Sequence, residues 1–191
     1  MVAQHSFVPA SYTVSSGVVR GIVECAVKCG VPFAALERFA DVDAVAAEGR
    51  KDERYSGEVP FRLWERIVQS SRDPIIGFRM AQVSDYRTFG LLGEMLLRCP
   101  SVLDACRLVE RYLSTLTTGN PVKVEFNSEA LQLTTSVAMP NGLSRNNALL
   151  WVLSNLAKIP NVFATSGVRP RLVECDFAPP EAAAARELLE I

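Results

Sequence analysis

The side chains that most often carry out enzyme chemistry are few and widely spaced in this sequence. His5 is the only histidine, and it lies in an N-terminal segment without periodicity. Serine and cysteine nucleophiles usually need a positioned imidazole, and most zinc sites need several histidine or cysteine ligands at short spacing. No pair of acids marks a recognisable site either. The sequence therefore predicts a protein that is not an enzyme and that holds no metal or other cofactor.

The five cysteines are scattered along the chain and do not form a cluster. Cys25 and Cys29 share the apolar face of a predicted helix. Core packing is favoured there over a metal or redox site, because no histidine or acid lies at ligand spacing. Cys99, Cys106 and Cys175 also fall in apolar patterns that indicate a core. Since the N-terminus does not resemble a signal peptide, we expect reduced thiols in a cytoplasmic protein.

Polar and aromatic residues meet in the segment just before Gly90. Tyr86, Arg87 and Phe89 fall in a loop between two predicted helices, and such clusters on loops suit contact with a ligand. These three are the first candidate ligand-binding residues. In the alternative interpretation, which is the commoner one for such loops, the two rings pack and Arg87 pairs with a nearby acid.

Two predicted helices carry further candidates. Arg107 and Arg111 lie on a polar helix face, where a guanidinium could hold a carboxylate effector. A surface pair of Arg107 with Asp104 is the favoured alternative. Trp151 lies off the apolar stripe of the helix predicted over 143–158. An off-stripe tryptophan indicates either a second buried face or an oligomer contact, so a homodimer through Trp151 is one hypothesis.

Length and charge bound the class of protein. The chain has 191 residues, enough for one domain with its own core, and its formal net charge is −1. A domain that binds nucleic acid by itself is usually clearly basic, so we do not expect this chain to do so. The most apolar stretch, 17–36, carries Arg20, Glu24 and Lys28, which excludes an ordinary transmembrane helix and predicts no membrane contact.

Periodicity predicts an α+β fold with a helical N-terminal half, and a small antiparallel β-sheet with packed helices. Residues 1–15 have no periodicity and are predicted to form a flexible leader, so that the domain would span 16–191. The charged stretch over 41–58 is predicted to be a solvated loop. Apolar residues at helical spacing predict helices over 17–29, 32–40, 60–72, 75–83, 91–98, 143–158 and from Pro179 to the end.

The clearest predicted element follows Ser101. Ser101 and Asp104 form the S-x-x-D signature of a helix N-terminus, and apolar residues then recur at helical spacing over 102–116. The pattern next changes to alternation, which is typical of strands with one buried face. Strands are predicted over 122–126 and 131–137, as a hairpin, and over 172–177.

Three stretches over roughly 15–190 carry a resemblance to a known family. They read SSGVVRGIVECAVKCGVPFAALERFAD, DPIIGFRMAQVSDYRTFGLLGEMLLRCPSVLDACRLVERYLSTLTTG and RPRLVECDFAPPEAAAARELL. The second is the most specific, since Gly-Leu-Leu-Gly from Gly90 precedes the capped helix with Ala105 and the pair Arg111-Tyr112. In this order they resemble the N-terminal effector-binding domain of AraC-type transcriptional regulators, in the arabinose-binding-type variant without the cupin pattern. The third stretch departs from the family, which often has a histidine before the proline.

The resemblance implies a ligand-sensing and dimerisation domain that binds a small-molecule effector and forms a homodimer. Tyr112, in the Arg-Tyr pair, joins the candidate ligand-binding residues. The family's DNA contact is made by a C-terminal pair of helix-turn-helix units. Because the sequence shows none, we expect a truncated chain, a natural fragment or a stand-alone sensor. Two alternatives stay open: a small-molecule enzyme or carrier, and an interaction module that dimerises with an intact regulator and modulates it.

Overall fold

A computed structural model describes residues 11–37, 54–127, 130–163, 170–172 and 174–177. Within these ranges the chain forms seven α-helices and two antiparallel pairs of strands, which confirms the α+β class. In chain order the elements are β1 (Thr13–Ser15), α1 (Ser16–Lys28), α2 (Phe33–Glu37), β2 (Arg54–Ser56), α3 (Glu58–Ser71), α4 (Ile76–Gln82), α5 (Gly90–Leu96), α6 (Val102–Leu116), β3 (Val122–Phe126), β4 (Leu131–Thr135) and α7 (Leu143–Ala157). Short 3-10 turns cover Tyr86–Phe89 and Ile159–Val162.

Capping serines fix where two helices begin. Ser15 Oγ accepts a hydrogen bond from the backbone N of Val18 (3.4 Å) at the start of α1. Ser101 Oγ accepts one from the backbone N of Asp104 (3.1 Å), and α6 therefore has the predicted bounds. The predicted helices over 17–29, 60–72, 75–83, 91–98 and 143–158 are confirmed with slightly shifted ends. Residues 38–40 of the predicted second helix and the helix from Pro179 lie outside the described residues.

The segment 11–15 belongs to the fold, although it was expected to be part of the leader; residues 1–10 lie outside the described part. β1 pairs with β2 in antiparallel register, so residues 54–56, predicted to be loop, form a strand as well. Arg54 strengthens this contact, since its Nε donates to Thr13 Oγ1 (2.9 Å). The sequence missed this pair because three-residue strands are too short to show an alternating pattern.

Burial of Tyr12 explains why the segment before β1 packs on the domain. Only 5% of Tyr12 is exposed, and its ring lies between Gly57 and Gly119. A Cβ at either glycine would overlap the ring. Val14, two residues further on, is also buried. These two apolar side chains give the N-terminal segment a hydrophobic reason to fold.

Helices α4 and α7 cross in close contact at a buried asparagine. Asn147 is 0% exposed, and its Oδ1 accepts a hydrogen bond from the backbone N of Gly77 (2.9 Å). Its Nδ2 donates to the carbonyls of Pro74 (3.1 Å) and Leu143 (3.0 Å). A Cβ at Gly77 would overlap the backbone of Asn147, so the two helices can pack this closely only because residue 77 is glycine. The contact fixes α7 against the first half of the chain.

The predicted hairpin forms, but the predicted third strand does not. β3 and β4 pair with Val124 opposite Leu133. The described residues between 170 and 177 contain no strand, so the prediction over 172–177 is wrong. This segment is held on α7 instead, where Arg145 donates two hydrogen bonds to the Asp176 carboxylate (3.1 and 2.6 Å).

Side chains of the same segment also depart from the predicted alternation of a buried strand. Leu172 is exposed and Cys175 is only half-buried, outside the apolar clusters. The expectation that Cys175 lies in the core is therefore wrong. Because no strand among the described residues pairs with this segment, its alternating residues do not bury one face of a sheet.

Apolar side chains form two main clusters. The first joins β1, α1, α3, α4 and α7 around Trp64 and Ile67. The second packs α6 against the hairpin around Cys106 and Val109. Cys25 and Cys106 are buried in these clusters, as predicted. Among the described residues, no helix is long and apolar enough to span a membrane.

Candidate functional site

A cavity of about 100 Å³ lies between the two clusters. Its walls come from β1, from helices α1, α3, α5, α6 and α7, and from the segment that follows the hairpin. They include Tyr12, Val18, Trp64, Leu92, Leu96, Val109, Val137, Met139, Trp151 and Ile159. A molecule in this cavity would therefore contact both clusters at once.

The walls of the cavity are almost entirely apolar. None of the described lining residues carries a charge, and the hydroxyl groups of the wall already have partners. The hydroxyls of Tyr12 and Thr117 donate to Asn120 Oδ1 (3.4 and 3.2 Å), and Tyr86 Oη donates to the carbonyl of Asn155 (2.7 Å). Burial raises the pKa of Tyr12 and of Tyr86, so both rings are neutral near pH 7. Apolar walls with few orienting polar groups are typical of small-molecule sites.

Trp151 belongs to the aromatic part of this wall. Its ring centroid lies 6.1 Å from that of Trp64 and 5.7 Å from that of Phe89, and both pairs are tilted as aromatic contacts prefer. Only 6% of Trp151 is exposed, so the structure shows the second buried face rather than a surface for an oligomer contact. Little of the side chain is therefore left exposed for contact with a second copy, and a homodimer through Trp151 stays a prediction. Its Nε1 is buried without a hydrogen-bond partner in the part of the chain that is described.

Two of the predicted ligand-binding residues line the cavity and their neighbour does not. Tyr86 and Phe89 contribute to the wall from the 3-10 turn before α5. Arg87 lies between them in sequence but borders an open surface groove. Its guanidinium forms ion pairs with Asp85 (3.4 Å) and Glu94 (3.7 Å). For Arg87 the structure therefore agrees with the alternative interpretation, in which its side chain forms ion pairs with nearby acids.

The candidate residues of α6 lie away from the cavity. Tyr112 is not among the described lining residues. Its ring contacts Arg111 instead, whose guanidinium carbon lies 5.3 Å from the ring centre of Tyr112. Asp104 accepts a hydrogen bond from the Ser101 hydroxyl (2.5 Å). No ion pair joins Asp104 to Arg107 among the residues described, so the favoured surface pair does not form.

Several wall residues were missed by the sequence patterns. Tyr12 falls in the expected leader, Asn120 in a turn, and Asn155 on the less apolar side of a helix. Contacts between residues more than 60 positions apart, such as that of Tyr86 with Asn155, leave no periodic signal. The available signal was residue type, because a polar residue that is buried inside an apolar stretch often has a specific hydrogen-bond partner.

Two observations on the described residues concern metal and thiol chemistry. They contain no group of three or more histidine, cysteine, aspartate or glutamate side chains that could hold a metal ion. Burial raises the pKa of the Cys25 thiol, and that of Cys106 to about 11. Both thiols are therefore protonated at neutral pH, and protonated thiols are poor nucleophiles.

Comparison with known families agrees with a ligand-binding role for this fold. The family model described as the arabinose-binding domain of AraC transcription regulators, N-terminal, matches residues 30–190. Comparison with curated proteins gave no significant match. The matched range contains most of the cavity wall, including the contributions of α3, α5, α6 and α7. The matched family is one of ligand-binding regulatory domains rather than of enzymes, and this chain belongs to the family of N-terminal arabinose-binding domains of AraC transcription regulators.

Proposed function

We propose that this chain is a cytoplasmic effector sensor, which binds a small molecule in the cavity and passes the change to a DNA-binding domain of an AraC-type regulator. The observation that supports this most directly is the position of the cavity between the two clusters. A ligand there stabilises the arrangement of the clusters that it fits best. Signalling is then a shift between two arrangements, with a size set by the difference in ligand affinity.

Helix α5 is the proposed route from the cavity to the surface. Leu92, Gly93 and Leu96 line the cavity, whereas Leu91 on the same helix is 76% exposed and Met95 is exposed beside it. A ligand that moves the inner face of α5 must also move the outer one. Contiguous exposed apolar groups can form protein contacts, and Leu91 and Met95 lie four residues apart on one face of the helix. We therefore place the homodimer contact on the outer face of α5 rather than at Trp151.

A thermal-shift screen tests whether the cavity binds effectors. The chain is heated with a panel of neutral cyclic compounds, fatty acids, amino acids and sugars, beside two variants on α6. Val109→Phe fills part of the cavity, and Leu103→Phe, outside the cavity wall, is the matched control. We expect at least one compound to raise the Tm of the wild-type and Leu103→Phe proteins but not of Val109→Phe, because ligands that bind the native state stabilise it by mass action. No compound with this pattern would contradict the proposal.

Sedimentation velocity tests the signalling and dimer parts of the proposal. A compound found in the screen should change the monomer–dimer equilibrium of the wild-type chain. Leu91→Lys should weaken the dimer, whereas Leu172→Lys, at another exposed leucine, should not. Sedimentation that is unaffected by ligand and by Leu91→Lys would contradict this route. Retardation of operator DNA by the chain alone would contradict the assignment of DNA contact to a separate domain.

A further inference from the structure

The absence of charge in the described cavity wall restricts the class of ligand. A charged group loses much hydration free energy when it is buried, and this loss is offset only by a well-placed partner of opposite charge. The guanidinium of Arg87 borders the open groove and pairs with Asp85 and Glu94. A carboxylate or ammonium group in the cavity would have no such partner among the lining residues described, so we expect an uncharged ligand.

Asn155 on α7 offers the cavity a hydrogen-bond acceptor. It is a wall residue of which only 8% is exposed, and its Nδ2 donates to the carbonyl of Trp151 (2.8 Å). Because a carbonyl can only accept, this bond fixes which end of the amide carries the hydrogens. Oδ1 receives no hydrogen bond from the described residues, and unlike Trp151 Nε1 it is not completely buried. This oxygen is therefore free to accept from a ligand.

Asn120, between α6 and β3, offers the cavity a donor. It is also a wall residue, with only 9% exposed, and its Oδ1 accepts from the hydroxyls of Tyr12 (3.4 Å) and Thr117 (3.2 Å). If the amide were turned round, both hydroxyl hydrogens would lose this acceptor, so the observed orientation is the favoured one. Nδ2 has no acceptor among the described residues and is not completely buried either.

The two amides thus leave free ends of opposite polarity in a wall that is otherwise apolar. About nine in ten buried polar groups in proteins have a hydrogen-bond partner, so two free ends in one wall indicate that a bound molecule supplies the partners. That molecule needs an acceptor for Asn120 Nδ2 and a donor for Asn155 Oδ1. A carboxylate has acceptors only, and an alkane has neither group.

We infer that the cavity selects a small uncharged molecule with one hydrogen-bond acceptor and one donor, such as a short-chain amide or alcohol, through Asn120 Nδ2 and Asn155 Oδ1. The inference rests on the proposed function, since it names the ligand class of the same cavity. The cavity volume is about 100 Å³, below the ~150 Å³ of an engineered apolar cavity that binds benzene. The ligand is therefore expected to be smaller than benzene.

Four probes of matched size, each with one non-hydrogen atom fewer than benzene, separate the possibilities. N-methylacetamide has an acceptor and a donor. Butanone has CH₂ in place of the N–H, and 2-methylbut-1-ene also has CH₂ in place of the carbonyl oxygen. Propanoate carries a charge. Such small molecules bind weakly, so their affinities are measured by titration of ¹⁵N–¹H correlation spectra. Propanoate should bind at least tenfold more weakly than butanone.

Asn155→Leu tests the acceptor. The change removes Oδ1 at similar size and keeps the backbone carbonyl that accepts from Tyr86. It should lower the affinity for N-methylacetamide relative to butanone about 3- to 10-fold, which is the net strength of one hydrogen bond. Asn146→Leu, on the same helix but outside the described wall, should leave this ratio unchanged. The ratio of two isosteric probes cancels a general loss of packing.

Asn120→Asp tests the donor. The change keeps an oxygen that accepts from Tyr12 and Thr117, but it replaces the free N–H group by a second acceptor. It should lower the affinity for butanone relative to 2-methylbut-1-ene at least about threefold, because the carbonyl oxygen loses its donor. Asn155→Leu should leave this second ratio unchanged, since butanone has no group that donates to Asn155.

Each outcome of these titrations decides between the two claims. Tighter binding of propanoate than of butanone, or an unchanged ratio in Asn155→Leu or in Asn120→Asp, would overturn the inference and leave the proposed sensor function intact. The same holds if none of the four probes binds although another compound stabilises the chain in the thermal-shift screen. No binding in either experiment would overturn both. The result we expect is that each variant lowers its own ratio.

Discussion

Replacement of Asn147 by alanine should destabilise the domain strongly, because it removes the polar contact at the crossing of α4 and α7. The side chain is fully buried and forms hydrogen bonds with the backbone N of Gly77 and the carbonyls of Pro74 and Leu143. The Leu143 carbonyl is retained in the helix, so the buried N–H of Gly77 and the half-buried carbonyl of Pro74 lose their partner. At about 1–3 kcal/mol for each orphaned group, the loss in the free energy of unfolding is about 2–6 kcal/mol.

Equilibrium urea denaturation followed by circular dichroism measures this loss. Asn146→Ala is the matched control, since Asn146 precedes Asn147 on α7 and is only half-buried. The control should lie within about 0.5 kcal/mol of the wild type. Asn147→Asp should also be destabilising, because a carboxylate can accept from Gly77 but cannot donate to the Pro74 carbonyl. A loss below 1 kcal/mol for Asn147→Ala would show that the crossing of the two helices does not depend on this side chain.

Three further changes test separate features of the fold. Arg72 ends α3 with a left-handed φ of 54°, so Arg72→Gly should raise the free energy of unfolding by about 0.5–1 kcal/mol, whereas Arg66→Gly inside the helix should lower it by about 1 kcal/mol. Tyr12→Ala should cost about 3–5 kcal/mol and Tyr12→Phe under 1 kcal/mol, since only the former empties the space between two glycines. The hydrogen bonds from Arg145 lower the pKa of Asp176 below its ordinary 3.8. The excess stability of wild type over Asp176→Asn should therefore be present above pH 3.8 and disappear as the pH falls through the lowered pKa. Chemical denaturation measures the free energy of unfolding of every variant, and for Asp176→Asn it is repeated at a series of pH values. A change of the opposite sign in any variant would contradict the contact that this variant tests.

Features with a strong local signal could be predicted from the sequence. The Ser101 cap and the regular apolar spacing after it gave the bounds of α6, and alternation gave the hairpin. Tyr86 and Phe89 could be connected with the cavity because a loop with two aromatic residues before Gly90 is a local feature. In each case the determining contacts lie within a few residues of chain.

Features that depend on distant contacts could not be predicted in this way. The pair of β1 and β2 joins segments about 40 residues apart, as Thr13 opposite Ser56 shows. The burial of Tyr12 depends on Gly57 and Gly119, which lie far along the chain from it. The alternation over 172–177 suggested a strand, yet the Asp176 contact with Arg145 holds that segment on a helix. A local sequence pattern does not predict the structure where contacts with distant residues determine the conformation.

The indole N–H signals of the protein provide the most direct test of ligand binding in the cavity. The sequence has two tryptophans, Trp64 and Trp151, and both lie in the cavity wall, so a ¹⁵N–¹H correlation spectrum should show two indole signals. Trp151→Phe assigns them by removing one. During titration with a compound that raises the Tm in the thermal-shift screen, we expect both indole signals to move in a saturable way, because both rings lie in the wall that the compound contacts. Stabilisation of the chain by that compound while both indole signals stay in place would contradict binding at this cavity.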